Sequence, residues 1–233
     1  MEPLKTDQGS YLGRIVGMGL TSDGNPLLLY GVSGRSEPSK QRRAYPDIHA
    51  GIVRIDPIGE LTSEQEAIRD LIIYNAMKLN PTLAVVSNGR QTDEIFDLVT
   101  RFHNPNRLLT VLYGMGPEPD KYSTPRIGGA FYNNGAKEGI AFKDEALPAK
   151  KRSEIWQVDL GRGRVEFTST YNGSISNPEP PPHPYTISRR VSGGSAQELA
   201  QELYDAIDPN IVVCAVAAVL TDGNWNLAVR NAR

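Results

Sequence analysis

Residues 11–33 read YLGRIVGMGLTSDGNPLLLYGVS. Two β-compatible runs meet at Thr21-Ser22-Asp23-Gly24-Asn25, and an Asp-Gly centre between such runs is a short-range hairpin signal. The pairing it implies is antiparallel. Gly13, Gly17 and Gly19 invite a dinucleotide loop instead, but no GxGxxG opens a helix here. Glycine in a tightly packed strand is the better reading.

Working outward, the same chemistry recurs. A polar, basic loop (RSEPSKQRRAYPD) leads to a strand, HAGIVRIDP. Beyond the short polar TSEQEAIRD, the run LIIYNAMKL reads as a strand, because Asn80-Pro81-Thr82 turns it into LAVVSNG. Thr92 is then expected to cap a helix, with Asp93 and Glu94 in its first turn and apolar Ile95, Phe96, Leu98 and Val99 behind. NPNRLLTVLYGMG predicts a second helix, ended by the glycines and prolines of GMGPEPD. Residues 125–142 form another hairpin around Asn133-Asn134-Gly135, and EIWQVDL and RVEFTST are strands flanking a Gly-Arg-Gly turn. Residues 172–186 are proline-rich and predict an extended surface loop. SAQELAQELYDAI is an amphipathic helix capped by Ser195. A last hairpin joins IVVCAVAAVL to NWNLAV around Thr221-Asp222-Gly223-Asn224. Many antiparallel strands with a few helices grouped between them predict an α+β sandwich. A doubly wound parallel sheet would alternate helices with strands, and this order does not.

The bulk properties exclude several classes. The 233 residues are 39% hydrophobic and 22% charged, with a formal net charge of -2. That composition suits a soluble, cytoplasmic domain over residues 1–233, and the balance gives no electrostatic reason to expect nucleic acid or an anionic membrane. The one cysteine, Cys214, can form no internal disulfide and lies in an apolar run, where a buried thiol is expected. That run is shorter than the ~20 residues of a membrane helix, and the first ten residues lack the apolar stretch of a signal peptide. His49, His103 and His183 lie in separate segments without metal-ligand spacing, so no metal and no cofactor is expected. What stands out is arginine beside turn residues: Arg35 with Ser36, the pair Arg42 and Arg43, and Arg126 behind Thr124. A guanidinium fork suits phosphate or carboxylate oxygens, although any one loop arginine is usually just solvated charge.

YLGRI, VSGRS, YN before VVSNGRQTD, the glutamate before STPRI and the terminal WNLAVR occur in an order that resembles the archaeal-type IMP cyclohydrolase family. The matching pieces run from Tyr11 to Arg230. The resemblance implies a four-layer αββα sandwich of two mostly antiparallel sheets, like that of the N-terminal nucleophile hydrolases. It also implies ring closure of 5-formamidoimidazole-4-carboxamide ribonucleotide to IMP, the last step of purine nucleotide synthesis, with loss of water. A tyrosine, a glutamate and an arginine would carry the reaction. These fall on Tyr74, on Glu118 and on Arg42, with Arg43 or Lys40 as alternatives for the arginine. The nucleotide would be held by residues drawn from Arg35, Ser36, Arg43, Asn75, Ser87, Asn88, Gly89, Thr124 and Arg126. The proline-rich stretch and the loop around 56–68 are longer than the family's compact pattern.

The chemistry itself assigns the roles. The carboxamide nitrogen attacks a formyl carbon on the same ring, so proximity is largely built in. Glu118 is the candidate base for the amide proton and Tyr74 the candidate donor to the formyl oxygen. Two other readings stand beside this one. A purine-nucleotide-binding paralogue would keep the pocket without the chemistry. An N-terminal nucleophile amidohydrolase would need cleavage at Gly9-Ser10 to expose Ser10. The expected partner is a small purine nucleotide, and a homo-oligomer is left open.

Overall fold

The structure, a computed structural model, describes residues 1–5, 9, 11–133, 135–143, 151–180 and 186–232. The opening hairpin supplies β1 (Arg14–Leu20) and β2 (Pro26–Ser33), followed by α1 (Glu37–Lys40), β3 (Arg42–Asp47) and β4 (Ile52–Pro57). Next come α2 (Ser63–Ala67), α3 (Arg69–Ile72), β5 (Tyr74–Asn80), β6 (Leu83–Ser87), α4 (Gln91–Phe102) and α5 (Arg107–Met115). Then follow β7 (Arg126–Tyr132), β8 (Gly135–Lys143), β9 (Lys151–Gln157), β10 (Arg164–Ser169) and β11 (Thr186–Arg190). The chain closes with α6 (Ala196–Ala206), β12 (Val212–Thr221) and β13 (Asn224–Asn231).

The strands form two antiparallel sheets. One has six strands in the order β11-β10-β1-β2-β12-β13, the other seven in the order β3-β4-β5-β6-β7-β8-β9. The hairpin therefore sits at the centre of the first sheet, with Gly17 opposite Leu29 and Gly19 opposite Leu27. Its glycines let β10 pack close: a Cβ on Gly17 would lie 2.5 Å from the Phe167 ring, and one on Gly19 would overlap the Arg164 carbonyl. Close packing, not a phosphate loop, is their use.

Three apolar clusters show how the elements face one another. Val16, Met18, Leu28 and Tyr30 of the first sheet pack on Val53, Ile55, Val86 and Ile127 of the second. Leu199, Ala200 and Leu203 of α6 cover the other face of the first sheet at Leu27, Leu29 and Phe167. Ile95 and Val99 of α4, with Leu108 and Leu112 of α5, cover the second sheet at Leu83 and Val85. Cys214 is fully buried, and burial pushes its thiol up to about 12. No helix among the described residues is long and apolar enough to cross a membrane.

Several expectations hold. The hairpins at 11–33, 125–142 and the C-terminus form, as do the turn between β5 and β6, helix α5, and α6 with its Ser195–Glu198 capping box. Others are corrected. Within RSEPSKQRRAYPD, Ser36 and Ser39 close a capping box on α1 and Arg42–Asp47 pairs with β4 as a strand, so this is not a loop. TSEQEAIRD is not a mere linker, because Thr62 and Gln65 form a capping box that starts α2, and α3 follows. LIIYNAMKL consequently splits, its first residues ending α3 and its strand beginning only at Tyr74.

Thr92 is not the cap of α4. That helix starts at Gln91 behind Arg90, while the Thr92 hydroxyl lies 2.5 Å from that of Ser87 and donates to the Gly89 carbonyl at 3.1 Å. EIWQVDL and RVEFTST do contribute strands on either side of the glycine turn, but to different sheets, since β9 edges the seven-stranded sheet and β10 lies in the six-stranded one. The end of the proline-rich stretch supplies Thr186 to β11, a strand not foreseen, and residues 181–185 lie outside the described residues, as does Asn134.

A carboxyl group is buried between the sheets. Glu138 on β8 is fully buried, accepts from the Thr168 hydroxyl of β10 at 2.7 Å, and its Oε1 has no partner among the described residues. Burial holds its carboxyl well above the usual carboxylate range. A carboxyl whose folded pKa is raised binds its proton more tightly folded than unfolded, so stability is greatest below the unfolded pKa. It then falls as pH rises towards the folded value. Glu138→Gln mimics the protonated acid and is expected to be at least as stable as the parent at neutral pH, with a flatter dependence above pH 5. Denaturant melts across pH 5–9 measure this. A variant that loses stability equally at every pH would refute it.

Candidate active site

A cavity of about 290 Å³ opens where the ends of β1 and β2 meet α1, the α2–α3 segment and the loop after α5. Its size is near the lower end for small-molecule sites, roughly 300–1,000 Å³. Ile68, Leu71 and Ile72 give it an apolar wall, and Arg14, Arg35, Arg42, Glu118 and Asp120 give it charge.

The loop that carries Glu118 is built by its own side chains. Gly116, with φ at 63°, ends α5. Asp120 then accepts from the backbone N–H groups of Tyr122 and Thr124 and from the Thr124 hydroxyl, and that hydroxyl lies 2.6 Å from the Tyr171 phenol. The Glu118 N–H donates to the Thr124 carbonyl at 2.8 Å. The prolines of GPEPD thus sit in a fixed turn, and Glu118 points inward with only 4% exposure.

There Glu118 meets Arg14, which enters from β1 and donates from Nη2 to Oε2 at 2.6 Å. Burial pushes the Glu118 carboxyl above its ordinary value, an effect that Arg14 and, more weakly, Arg126 oppose. Burial also disfavours the Arg14 charge, but Glu118, Tyr74 and Tyr30 together outweigh it and hold that charge firmly. The result is a buried ion pair at the cavity wall whose acid is more basic than an exposed glutamate.

Tyr74 does not line the cavity. Its phenol lies within electrostatic reach of Arg42, Arg14 and Glu118, which do, and its hydroxyl is 2.7 Å from that of Tyr30. Burial, outweighing the two arginines, pushes its pKa up. Arg42 is buried, braced by its Nε donating to the Ser39 carbonyl at 3.0 Å. Elsewhere in the cavity the Arg35 guanidinium sits 4.2 Å over the Tyr122 ring, and Tyr11 stacks on Tyr171 at 5.4 Å.

Of the residues expected around a nucleotide, Arg35, Ser36, Arg42 and Glu118 line this cavity. Arg43 does not: strand alternation turns it away from Arg42, and Lys40 pairs with Glu37 at 3.4 Å instead. Asn75 donates to both carboxylate oxygens of Asp93 on α4. Ser87 and Asn88 are fully buried and occupied within the protein. Asn88 donates to the Pro125 carbonyl at 2.9 Å, and its oxygen accepts from Gln91 and from the Ile127 N–H. With Gly89, whose carbonyl accepts from Ser87 and Thr92, they are held by partners within the protein and do not line the cavity, although Asn88 also donates to Glu118 Oε1 at 3.4 Å. Thr124 is likewise committed to Asp120. Arg126 donates to Gln91 at 3.0 Å and faces a neighbouring depression with Arg90 and Arg69.

Asn88→Ala is accordingly expected to lower stability by about 1–3 kcal/mol, the cost of orphaning buried polar groups, while the KM for substrate changes less than about threefold. Thermal melting and steady-state kinetics separate the two, and an intact melt with a sharply raised KM would make Asn88 a substrate ligand.

Sequence reasoning missed Arg14, Tyr11, Tyr171 and Asp120. The first two lie in YLGRI, where no local signal distinguishes a strand residue facing a cavity from one bracing a sheet. Ser10 lies outside the described residues. No cluster of three or more His, Cys, Asp or Glu among the described residues could hold a metal.

A cleft of about 290 Å³ with inward arginines, a buried carboxylate and a buried phenol behind it is suited to proton transfer on a small anionic molecule. Comparison with known proteins names the family. The family model for IMP cyclohydrolase-like protein matches residues 11–224, and the chain belongs to that family. It is 31% identical over 225 residues to an IMP cyclohydrolase of Methanothrix thermoacetophila, covering 96% of this chain and 100% of that protein. IMP cyclohydrolases of Methanocaldococcus jannaschii and Methanococcus maripaludis are each 29% identical, covering 91% of this chain and 96% of theirs.

Proposed function

We propose that this chain is an IMP cyclohydrolase that closes 5-formamidoimidazole-4-carboxamide ribonucleotide to IMP with loss of water. Family membership over nearly the whole length supports the reaction. The observation that carries the mechanism is the buried Arg14–Glu118 pair at the cavity wall, with Tyr74 behind it. Two antiparallel sheets packed on each other and covered by helices support reading the fold as a four-layer αββα sandwich of the N-terminal nucleophile hydrolase kind. Residues 1–233 would act as one domain.

In this reading Glu118 takes a proton from the carboxamide nitrogen as that nitrogen bonds to the formyl carbon. Tyr74 gives its proton to the formyl oxygen, which becomes a hydroxyl. Glu118 then returns its proton to that hydroxyl, which leaves as water, while the Tyr74 phenolate takes the proton of the former formamide nitrogen. Arg14 keeps Glu118 in place and ionised at the start. Arg42 stabilises negative charge on the Tyr74 oxygen, and Arg35 meets the anionic end of the nucleotide with Ser36 beside it.

The direct test offers the formamido nucleotide to purified protein and follows IMP. Turnover supports an enzyme. Tight IMP binding with no turnover would replace it with the binding paralogue.

A further inference from the structure

We infer that Tyr30 is a positioning residue that turns the Tyr74 hydroxyl proton towards the cavity, a role that rests on Tyr74 acting as proton donor. Tyr30 belongs to β2, inside the six-stranded sheet, and is fully buried. Tyr74 opens β5 in the opposite sheet, and the two hydroxyls meet across the interface at 2.7 Å.

Two hydroxyl protons share one contact, and among the described residues neither phenol has another hydrogen-bond partner. Were Tyr74 the donor, the Tyr30 proton would be left without an acceptor in a core where its cross-strand neighbours are Val16 and Val216. Stranding a buried donor costs about 1–3 kcal/mol. With Tyr30 as donor, its only proton is used and that of Tyr74 is released.

The released proton sits beside the cavity. Arg14, Arg42 and Glu118 all act on the Tyr74 phenol, and two of these three are cations that cannot accept it. Glu118 could accept but makes no hydrogen bond to Tyr74, so the proton is left for a carbonyl oxygen of the substrate. A hydrogen bond received from Tyr30 also stabilises the Tyr74 phenolate and so makes Tyr74 a better acid, opposing its burial.

The test compares Tyr30→Phe, Tyr74→Phe and the double variant of the full chain, with the formamido nucleotide as substrate and thermal melting alongside. Tyr30→Phe is expected to lower kcat about three- to tenfold, the size of one neutral hydrogen bond, and to change KM less than about twofold. In the Tyr74→Phe background the same substitution is expected to have no further effect, because Tyr30 acts only through Tyr74. Additive losses would overturn the inference, as would full kcat in Tyr30→Phe beside a clear loss in Tyr74→Phe. Full kcat in Tyr74→Phe would overturn the donor reading and this inference with it. If Tyr30→Phe does not fold, 3-fluorotyrosine at position 30 keeps the shape and strengthens the donor. The alkaline limb of kcat should then move to lower pH, and an unmoved limb would overturn the inference.

Discussion

Glu118→Gln is expected to lower kcat by about 10²–10⁴-fold, the contribution of a positioned general base. The amide keeps the shape and can still face Arg14, so the loss reports the missing base. The parent enzyme should also show a rise in kcat as pH increases through the Glu118 pKa, because only the ionised carboxylate takes a proton. Burial places that rise above the ordinary glutamate range. In Glu118→Gln the acid limb should vanish together with most of the rate. Near-normal turnover, or an unchanged acid limb, would remove Glu118 from the reaction.

Arg14→Met is expected to have the second largest effect, on both stability and rate. Breaking a buried ion pair by removing one partner costs about 3–5 kcal/mol when the other charge stays buried. The signs follow from Glu118. Arg14 lowers the Glu118 pKa, so its removal lets burial raise that pKa further, and the acid limb of kcat moves to higher pH. The stability deficit should narrow as pH falls, because a protonated Glu118 needs no counter-charge in either protein. Arg14→Lys keeps the charge and should recover part of both. Melts at pH 5 and 8, with kcat profiles over the same range, check this. A deficit independent of pH, with an unmoved limb, would leave Arg14 as packing alone.

Much of the fold was legible because its signals are local. Asp23-Gly24 and Asp222-Gly223 announce hairpins within five residues, and Ser195 with Glu198 announces a helix within four. Sheet membership is not local. Nothing between Leu160 and Arg164 says that β9 and β10 belong to different sheets, since that choice is made by partners far away in sequence. Short helices also escape pattern reading. Thr62-Ser63-Glu64-Gln65 did carry a capping box, but α2 is too short for an apolar period to develop.

The site was legible only in part for the same reason. Glu118 and Tyr74 were reached through an ordered family resemblance. Arg14 stands 104 residues from its partner, and no spacing rule connects them. The role of SNGRQTD was not legible either, because Ser87 and Asn88 look the same in sequence whether they face a substrate or the Pro125 carbonyl that Asn88 meets here.

The contacts that make the site run from one sheet to the other. Arg14 of β1 reaches the loop that feeds β7, Tyr30 of β2 reaches Tyr74 of β5, and Tyr171 beyond β10 reaches Thr124 before β7. Neither sheet holds a working half of the chemistry. Catalysis in this chain is therefore a reporter of docking: a sliding or loosening of the interface would silence it while every strand kept its hydrogen-bonded neighbours. Enzymatic rate should be the most sensitive gauge of how well the two halves of the molecule are seated.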